Sequence, residues 1–460
     1  MTGMRMEPSI PGLERLLAFT DIENARRLVA QHGHEMKYVE KWRSWVVWDG
    51  RRWAPSAAAA LKRASDAARA QTIAIEALED PRAIKEALAC EGARRITGAL
   101  SLAAPMLAIS SRALDPDPML ATCENGTVEL ASGKLRHHRP SDMITHLLPH
   151  RFDPAAKAPA WEKFLREVMD NREDLVEFLH RWAGYCLTGS SVEHALVLAT
   201  GIGRNGKGTF VRVLKHVFGE DLSAEAAPGL LMATKFERHP TELRALKGRR
   251  LVTASEVATD GLFNEERVKR LAGGDDIQAR GMGEDFDEFT PTHKFILGVN
   301  KKPEVRDTSE GFWARLRVVP FDVSFLGRED HELEPKLKAE AEGVLAWCVR
   351  GAMAWAQSGL GRAEAIDEAK AEYRRAQDQL GRYLAERAEE GLPMDDVPAS
   401  LLHDHVVAWA RTNDERAPTK TGLGRELLAR GFKRKRTKTG ALWDLTASKQ
   451  LDLMAQKESE

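Results

Sequence analysis

Only four of the 460 residues are cysteine (Cys90, Cys123, Cys186 and Cys348), and no two form a CxxC pair. No group of Cys and His residues has zinc-ligand spacing. A disulfide framework and a zinc ribbon are therefore excluded, and the expected setting is a reduced one, the cytoplasm of a bacterial host cell. Long apolar runs are also missing. None approaches the roughly 20 residues of a membrane helix, and the opening MTGMRMEPSIPGLERLL lacks the apolar core of a secretory signal. No membrane partner is expected. Excess charge is absent too: 68 Lys and Arg stand against 69 Asp and Glu, a formal net charge of −1. A nucleic-acid partner would have to be gripped by local basic clusters, because the whole-chain field is weak. Internal repeats and low-complexity tracts are lacking.

What is present is an ordinary globular composition, 43% hydrophobic and 30% charged. The length suggests about three domains at roughly 150 residues each. Residues 1–155 read as a mixed α+β domain. Ala57–Ala104 is alanine-rich and helical; Trp45–Trp48, Asp49-Gly50 and Arg51–Trp53 read as a hairpin, and Asn125–Leu130 with Ala131–Lys134 as a second. Asp153–Pro159 looks like a linker. Residues 156–194 form a helical, collar-like segment. Residues 195–360 alternate short apolar runs with helices, the pattern of a mostly parallel sheet covered by helices. A charged connecting helix is expected over 361–395. Residues 396–460 read as two helices, Ser400–Thr412 and Lys420–Arg430, then a hairpin of Phe432–Lys438 and Ala441–Leu445 around Gly440, the order of a winged helix.

The most informative stretch is Thr200-Gly201-Ile202-Gly203-Arg204-Asn205-Gly206-Lys207-Gly208-Thr209. It follows the apolar run Ala195–Ala199 and leads into a helical pattern at Phe210–Val217. Strand, glycine-rich loop and helix, in that order, make a phosphate cradle. Glycines let backbone N–H groups face the phosphates, and the helix N-terminus adds its positive end. Gly201, Gly203, Asn205, Gly206, Lys207, Gly208 and Thr209 are the expected ATP-binding residues, with Lys207 neutralising the β- and γ-phosphates. The hydroxyl usual directly after the lysine is replaced by Gly208. Thr209, one position late, is the expected magnesium ligand.

A hydrolytic phosphate-loop enzyme also needs a carboxylate at the end of a neighbouring strand. Arg250–Ser255 followed by Glu256 supplies one, with Ser255 in place of the aspartate common there. Glu256 is assigned to water activation and to the metal. Lys294–Val299 ends in Asn300, suited to orienting the attacking water. In Gly311–Phe321, Arg315 is the expected arginine finger, supplied in trans to a neighbouring subunit, with Arg317 as the alternative.

The glycine loop, RLVTASE, KRLAGGDDIQAR, FILGVN and FWARLRVVPF occur in this order at close spacing. Together they resemble the superfamily III helicases, in the branch of phage and plasmid primase-helicases and related poxvirus proteins. WVVWDGRRW, DPDPMLATCENGTVELASGKLRHHRP and FDPAAKAPAWEKFL leading into GYCLTG resemble the domain that precedes the motor in that branch. The likeness covers about residues 20–325. It implies an AAA+-like α/β motor assembling as a hexameric ring, with ATP and Mg²⁺ between subunits and 3′-to-5′ movement on single-stranded DNA. It also implies a hairpin projecting into the ring channel, here Ile277–Gly281 and Phe286–Thr292 with Gly283-Glu284-Asp285 at its tip. The tip is acidic, so DNA contacts are assigned to Lys269, Arg280, Phe286 and Lys294; a solvated helix face is the other reading of Lys269.

The strongest basic cluster, Lys433, Arg434, Lys435, Arg436 and Lys438, precedes the wing turn and is assigned to phosphate contacts. A protein-binding winged helix is the competing reading. No primase fold is expected, so a separate primase or polymerase is a possible partner. The expected function is an ATP-dependent replicative helicase of a phage, prophage or plasmid acting on single-stranded and forked DNA. The alternatives are an ATP-switched origin-binding initiator or loader, and a small-molecule nucleotide kinase suggested only by the GKGT ending.

Overall fold

The computed structural model describes residues 17–234, 239–255, 261–281, 286–306, 309–438 and 440–446. The chain divides into two compact units between Ala369 and Lys370.

The first unit begins with α1 (Asp21–His32), the meander β1 (Met36–Val39), β2 (Ser44–Trp48) and β3 (Trp53–Pro55), then α2 (Ala57–Glu76), α3 (Pro81–Cys90) and α4 (Ala93–Ala103). Ser56 and Asp80 cap α2 and α3 by accepting from Ala59 N and Arg82 N. β4 (Ala108–Ile109) joins this sheet in parallel with β1. A second small sheet is made by β5 (Leu120–Cys123), β6 (Gly126–Glu129) and β7 (Lys134–Arg136), antiparallel throughout. Both hairpins expected from sequence are there; β5 was not foreseen.

α5 (Pro159–Val168) and α6 (Glu173–Leu187) lead into the central sheet. Its strands are β8 (Leu196–Thr200), β9 (Ser223–Glu225), β10 (Leu251–Ser255), β13 (Lys294–Val299) and β14 (Leu316–Pro320), in the order β14-β8-β13-β10-β9 and parallel throughout. Between β10 and β13 lies an antiparallel pair, β11 (Ile277–Ala279) and β12 (Asp287–Phe289). α7 (Lys207–Leu222) follows β8, and α8 (Ala341–Ser358) follows β14 and packs on α6. That helix pair is close because of glycine: a Cβ on Gly184 would stand 2.0 Å from Ala352 N, and one on Gly351 would stand 2.1 Å from His180 O.

One apolar cluster runs from Ala121 to Ile366. It holds Phe152, which directly precedes the stretch expected to be a linker, and Ala158 within it, so that stretch is anchored to the core. Trp161 of α5 stacks on Phe210 of α7, centroids 5.6 Å apart and planes 12° apart, joining the collar-like helices to the sheet.

The second unit holds α9 (Gln379–Glu389), β15 (Val397–Pro398), α10 (Ala399–Thr412), α11 (Lys420–Ala429), β16 (Lys433–Thr437) and β17 (Gly440–Asp444). The connecting helix is not continuous. A separate helix ends at Gln377, and Asp378 caps α9 by accepting from Gly381 N. The sheet order is β15-β17-β16, which leaves β16 at an edge. Leu384, Leu402, Leu427 and Trp443 share its core.

Candidate functional site

All five strands of the central sheet point the same way, so their carboxyl ends form one edge. In open parallel sheets, ligands sit in the crevice beyond that edge, where successive connections diverge. Here β8 connects through α7 to the far strand β9, while β13 and β14 flank it. A cavity of about 610 Å³ opens at this position. Gly203–Thr209, Arg212 and Lys215 line it from the loop and α7, Glu225, Thr253 and Ala254 from β9 and β10, and Gly298 and Asn300 from β13.

The loop is built tightly. Gly201 has φ +149°, and a Cβ there would meet Asn205 Nδ2 at 2.0 Å and Phe321 O at 2.4 Å. Gly206 has φ +84°, a left-handed turn that glycine adopts without strain, and a Cβ there would strike Val168 Cγ1 of α5 at 2.5 Å. Asn205 is buried and donates from Nδ2 to Phe321 O at 2.8 Å, which ties the loop to the end of β14. Lys207 is only 8% exposed. Its Nζ donates to Gly201 O at 2.5 Å and Asn205 Oδ1 at 3.0 Å. Burial pulls its ammonium below the ordinary lysine value. The first turn of α7 starts at this lysine, so amide N–H groups with no partner inside the helix point into the same space.

The structure thus gathers six of the seven expected loop residues, together with Asn300, around one cavity; Gly201 stands at the loop's base, beneath Lys207. Glu256 lies outside the described residues, as does the side chain of Ser255. The oxygen-bearing side chains among the lining residues are Thr209, Thr253, Asn300 and Glu225, of which the Thr253 hydroxyl donates to Ala224 O at 3.4 Å. Among the described residues no group of three or more His, Cys, Asp or Glu side chains is placed to hold a metal on its own. A few hard oxygen donors beside a phosphate cradle suit Mg²⁺, which keeps several waters and takes the rest of its shell from substrate phosphates.

Arg315 lies elsewhere. It precedes β14 at the amino end of the strand, and its Nη1 donates to Gly311 O. β14 runs parallel to β8 with Leu316 opposite Leu196, so Arg315 and the loop stand at opposite ends of the sheet, on the order of 16 Å apart by strand rise. Arg317, in the strand itself, donates to Ala314 O at 2.7 Å, and burial lowers its pKa. Within one chain neither arginine reaches the cavity.

The DNA candidates scatter. β11 and β12 pair with Ile277 opposite Phe289, so the expected hairpin forms; residues 282–285, including its tip, lie outside the described residues. Arg280 lies 5.0 Å over the Phe286 ring, which is 54% exposed. The hairpin base is held by cations: Arg112 meets Asp276 and Glu288, and Lys41 and Lys247 meet Asp287. Lys269 sits half-buried, its Nζ 3.3 Å from Ser309 Oγ.

Lys294 requires a correction. It is 2% exposed, and its Nζ donates to Thr188 O at 2.5 Å, Thr292 O at 2.9 Å and Ser190 O at 3.2 Å. All three ammonium protons are used, so it has none for a DNA phosphate. Its pKa is pushed down to about 7 by burial.

The basic strand β16 is exposed along its whole length. Lys435 pairs with Asp396 at 3.1 Å, and Arg434 lies 5.8 Å over Trp443. Among the described residues Lys433, Arg436 and Lys438 form no close salt bridge, although Lys433 stands opposite Asp444 on β17.

Sequence reasoning missed Glu225, Arg212 and Lys215. Glu225 ends a strand of three residues, too short for a periodic signal. Lys215 was legible in principle: it lies two turns beyond Lys207 on α7, with Val211 between them, on one helix face.

The fold and site together define a mixed α/β protein with a parallel sheet and a glycine loop at its carboxyl edge. Comparison with known proteins adds two family matches. Residues 25–170 match the family model described as D5 N terminal like, and residues 199–315 match a family of unknown function, DUF5906. The chain is 25% identical over 332 residues to "Putative helicase L207/L206" of Acanthamoeba polyphaga mimivirus, covering 66% of this chain and 34% of that one. It is 27% identical over 224 residues to "Putative helicase 184R" of Invertebrate iridescent virus 6 (46% and 23% covered), and 24% identical over 345 residues to "Putative primase C962R" of African swine fever virus (68% and 35% covered). The chain therefore spans about a third of the length of the first of these relatives. Among solved structures, the C-terminal region of NrS-1 aligns with 69% of this chain and 88% of its own, at 14% identity and a TM-score of 0.45.

Proposed function

We propose that this chain is the ATP-hydrolysing motor of a replicative DNA helicase of the superfamily III type, with an AAA+-like core and a winged-helix segment at its C-terminal end. The observation that carries the reading is the cavity at the carboxyl edge of the sheet, where Lys207, Thr209 and Asn300 converge on a glycine loop. The names of the viral relatives support it. In this reading the loop N–H groups and Lys207 hold the phosphates of ATP. Thr209 and Glu256 hold Mg²⁺, which would draw charge from the phosphates when bound. Asn300 orients the attacking water.

The site is one half of a shared one. Arg315 stands at the far end of its own sheet, where a neighbouring subunit's cavity would meet it. A ring, a hexamer by the resemblance, closes that arrangement. Movement along one DNA strand, 3′ to 5′, is the family's direction.

The test is strand displacement by the purified chain on forks with a 3′ or a 5′ tail, with particle mass measured in the presence of ATP. Displacement of the 3′-tailed fork by a ring-sized particle is expected. ATP hydrolysis and DNA binding without displacement on either fork would instead mark an initiator or loader. Neither hydrolysis nor displacement sinks the motor reading.

A further inference from the structure

Ser255 stands where the strand before the catalytic acid commonly carries an aspartate, which leaves the metal short of one carboxylate. A second carboxylate faces the same cavity from the neighbouring strand. Glu225 is the last residue of β9, opposite Thr253 of β10, at the carboxyl edge of the sheet. It is the one acid among the described residues that line the cavity. Its Oε2 lies 3.3 Å from Lys215 Nζ, which reaches it from the face of α7 that also carries Lys207. We propose that Glu225 holds the magnesium ion of the bound nucleotide, through a water molecule, and that Lys215 positions its carboxylate. The proposal rests on the ATP reading above and supplies the metal ligand that Ser255 does not.

The cavity is made for a polyanion, with Lys207, Arg212 and Lys215 on one wall. The Glu225 side chain is 59% exposed and its charge is partly offset by Lys215; what remains repels phosphate unless a further cation stands between them. Mg²⁺ is such a cation, and it is held by one or two protein oxygens plus phosphates and water. A plain surface ion pair between Glu225 and Lys215, of little weight for stability and of no consequence for the metal, is the competing account.

The experiment measures binding of a fluorescent, non-hydrolysable ATP analogue across a Mg²⁺ series, using the full chain as wild type, Glu225→Gln and Glu225→Asp, with melting temperatures as a check on folding. Without Mg²⁺, Glu225→Gln is expected to bind the analogue at least as well as wild type, because a repulsion is gone. The Mg²⁺ concentration that half-saturates the tightening is expected to rise about tenfold in Glu225→Gln, the lower range for an outer ligand, and less in Glu225→Asp. An unchanged midpoint in Glu225→Gln overturns the assignment while leaving the nucleotide site intact. Failure of wild type to bind the analogue at any Mg²⁺ concentration overturns the nucleotide reading, and the Glu225 assignment with it.

Discussion

The two edges of the central sheet each bury a lysine, and they do different things with it. At the carboxyl edge, Lys207 rests on two oxygens of its own loop and borders a cavity of about 610 Å³. At the amino edge, Lys294 spends its ammonium on three carbonyls and lines a sealed wall beside Arg250, which donates to Leu187 O and Leu120 O. Thr188 and Leu187 close the C-terminal end of α6, where carbonyls without helical partners and the negative end of the helix dipole favour a cation. Burial and a lowered pKa therefore do not mark a functional lysine by themselves. What separates the two is whether the partners can be exchanged for a ligand.

The sharpest break of this comparison is a pair of substitutions. Lys207→Ala is expected to lower ATP turnover by about 10²–10³-fold, the scale for losing one charge-stabilising donor, with little change in melting temperature. Lys294→Ala is expected to do the reverse, costing roughly 2–4 kcal/mol of stability because buried carbonyls lose their donor, with turnover per folded molecule near wild type. Turnover retained in Lys207→Ala would remove the phosphate loop from the chemistry. A DNA-binding loss in a normally stable Lys294→Ala protein would restore the channel role denied to it here.

Arg315 extends the comparison to neighbouring subunits. Arg315→Ala is expected to cut hydrolysis by about 10³-fold, the lower range for an arginine finger, while binding of ATP continues. Mixed with Lys207→Ala subunits it should regain measurable turnover, because some interfaces then carry one intact loop and one intact arginine. Mixtures with no regain would place Arg315 outside the shared site and turn attention to Arg317.

The carboxyl edge was largely legible because its signals are local: glycines, a lysine and a helix start within ten residues, flanked by apolar runs long enough to read as strands. The amino edge was not. Lys294 read as a DNA contact of the channel, and two of its three acceptors, Thr188 and Ser190, lie more than one hundred residues earlier in the chain. Glu225 escaped because its strand is three residues long. The charged run over 361–395 read as one helix, since nothing in its composition announces that Asp378 turns to cap a new one. The basic hairpin was read nearly to the residue, because Gly440 and the alternation around it fix both strands.

That hairpin offers a third kind of lysine, exposed and on a sheet edge. Edge strands carry such charges simply to discourage pairing with other chains, so a DNA role needs its own test. Replacing Lys433, Arg436 and Lys438 with alanine is expected to weaken duplex binding and to flatten its salt dependence by about 0.9 log units per lost phosphate contact. Basal ATP turnover should stay as it is. An unchanged salt slope together with new self-association would assign the charges to edge protection.

The last expected effect returns to Lys294. Its pKa is held down to about 7 in the folded chain, against about 10.4 for an unfolded lysine. Between those values the unfolded chain binds more protons than the folded one, so stability from this group rises with pH from about 7 to about 10. Below pH 7 both states carry the proton and the contribution is flat and least favourable. Denaturant unfolding of wild type and Lys294→Met, compared at pH 7, 8 and 9, isolates the group, because other titrating residues cancel in the difference. The stability of wild type relative to Lys294→Met is expected to increase over that range. A decrease would mean that the three carbonyls and the end of α6 hold the ammonium charged more strongly than burial discharges it.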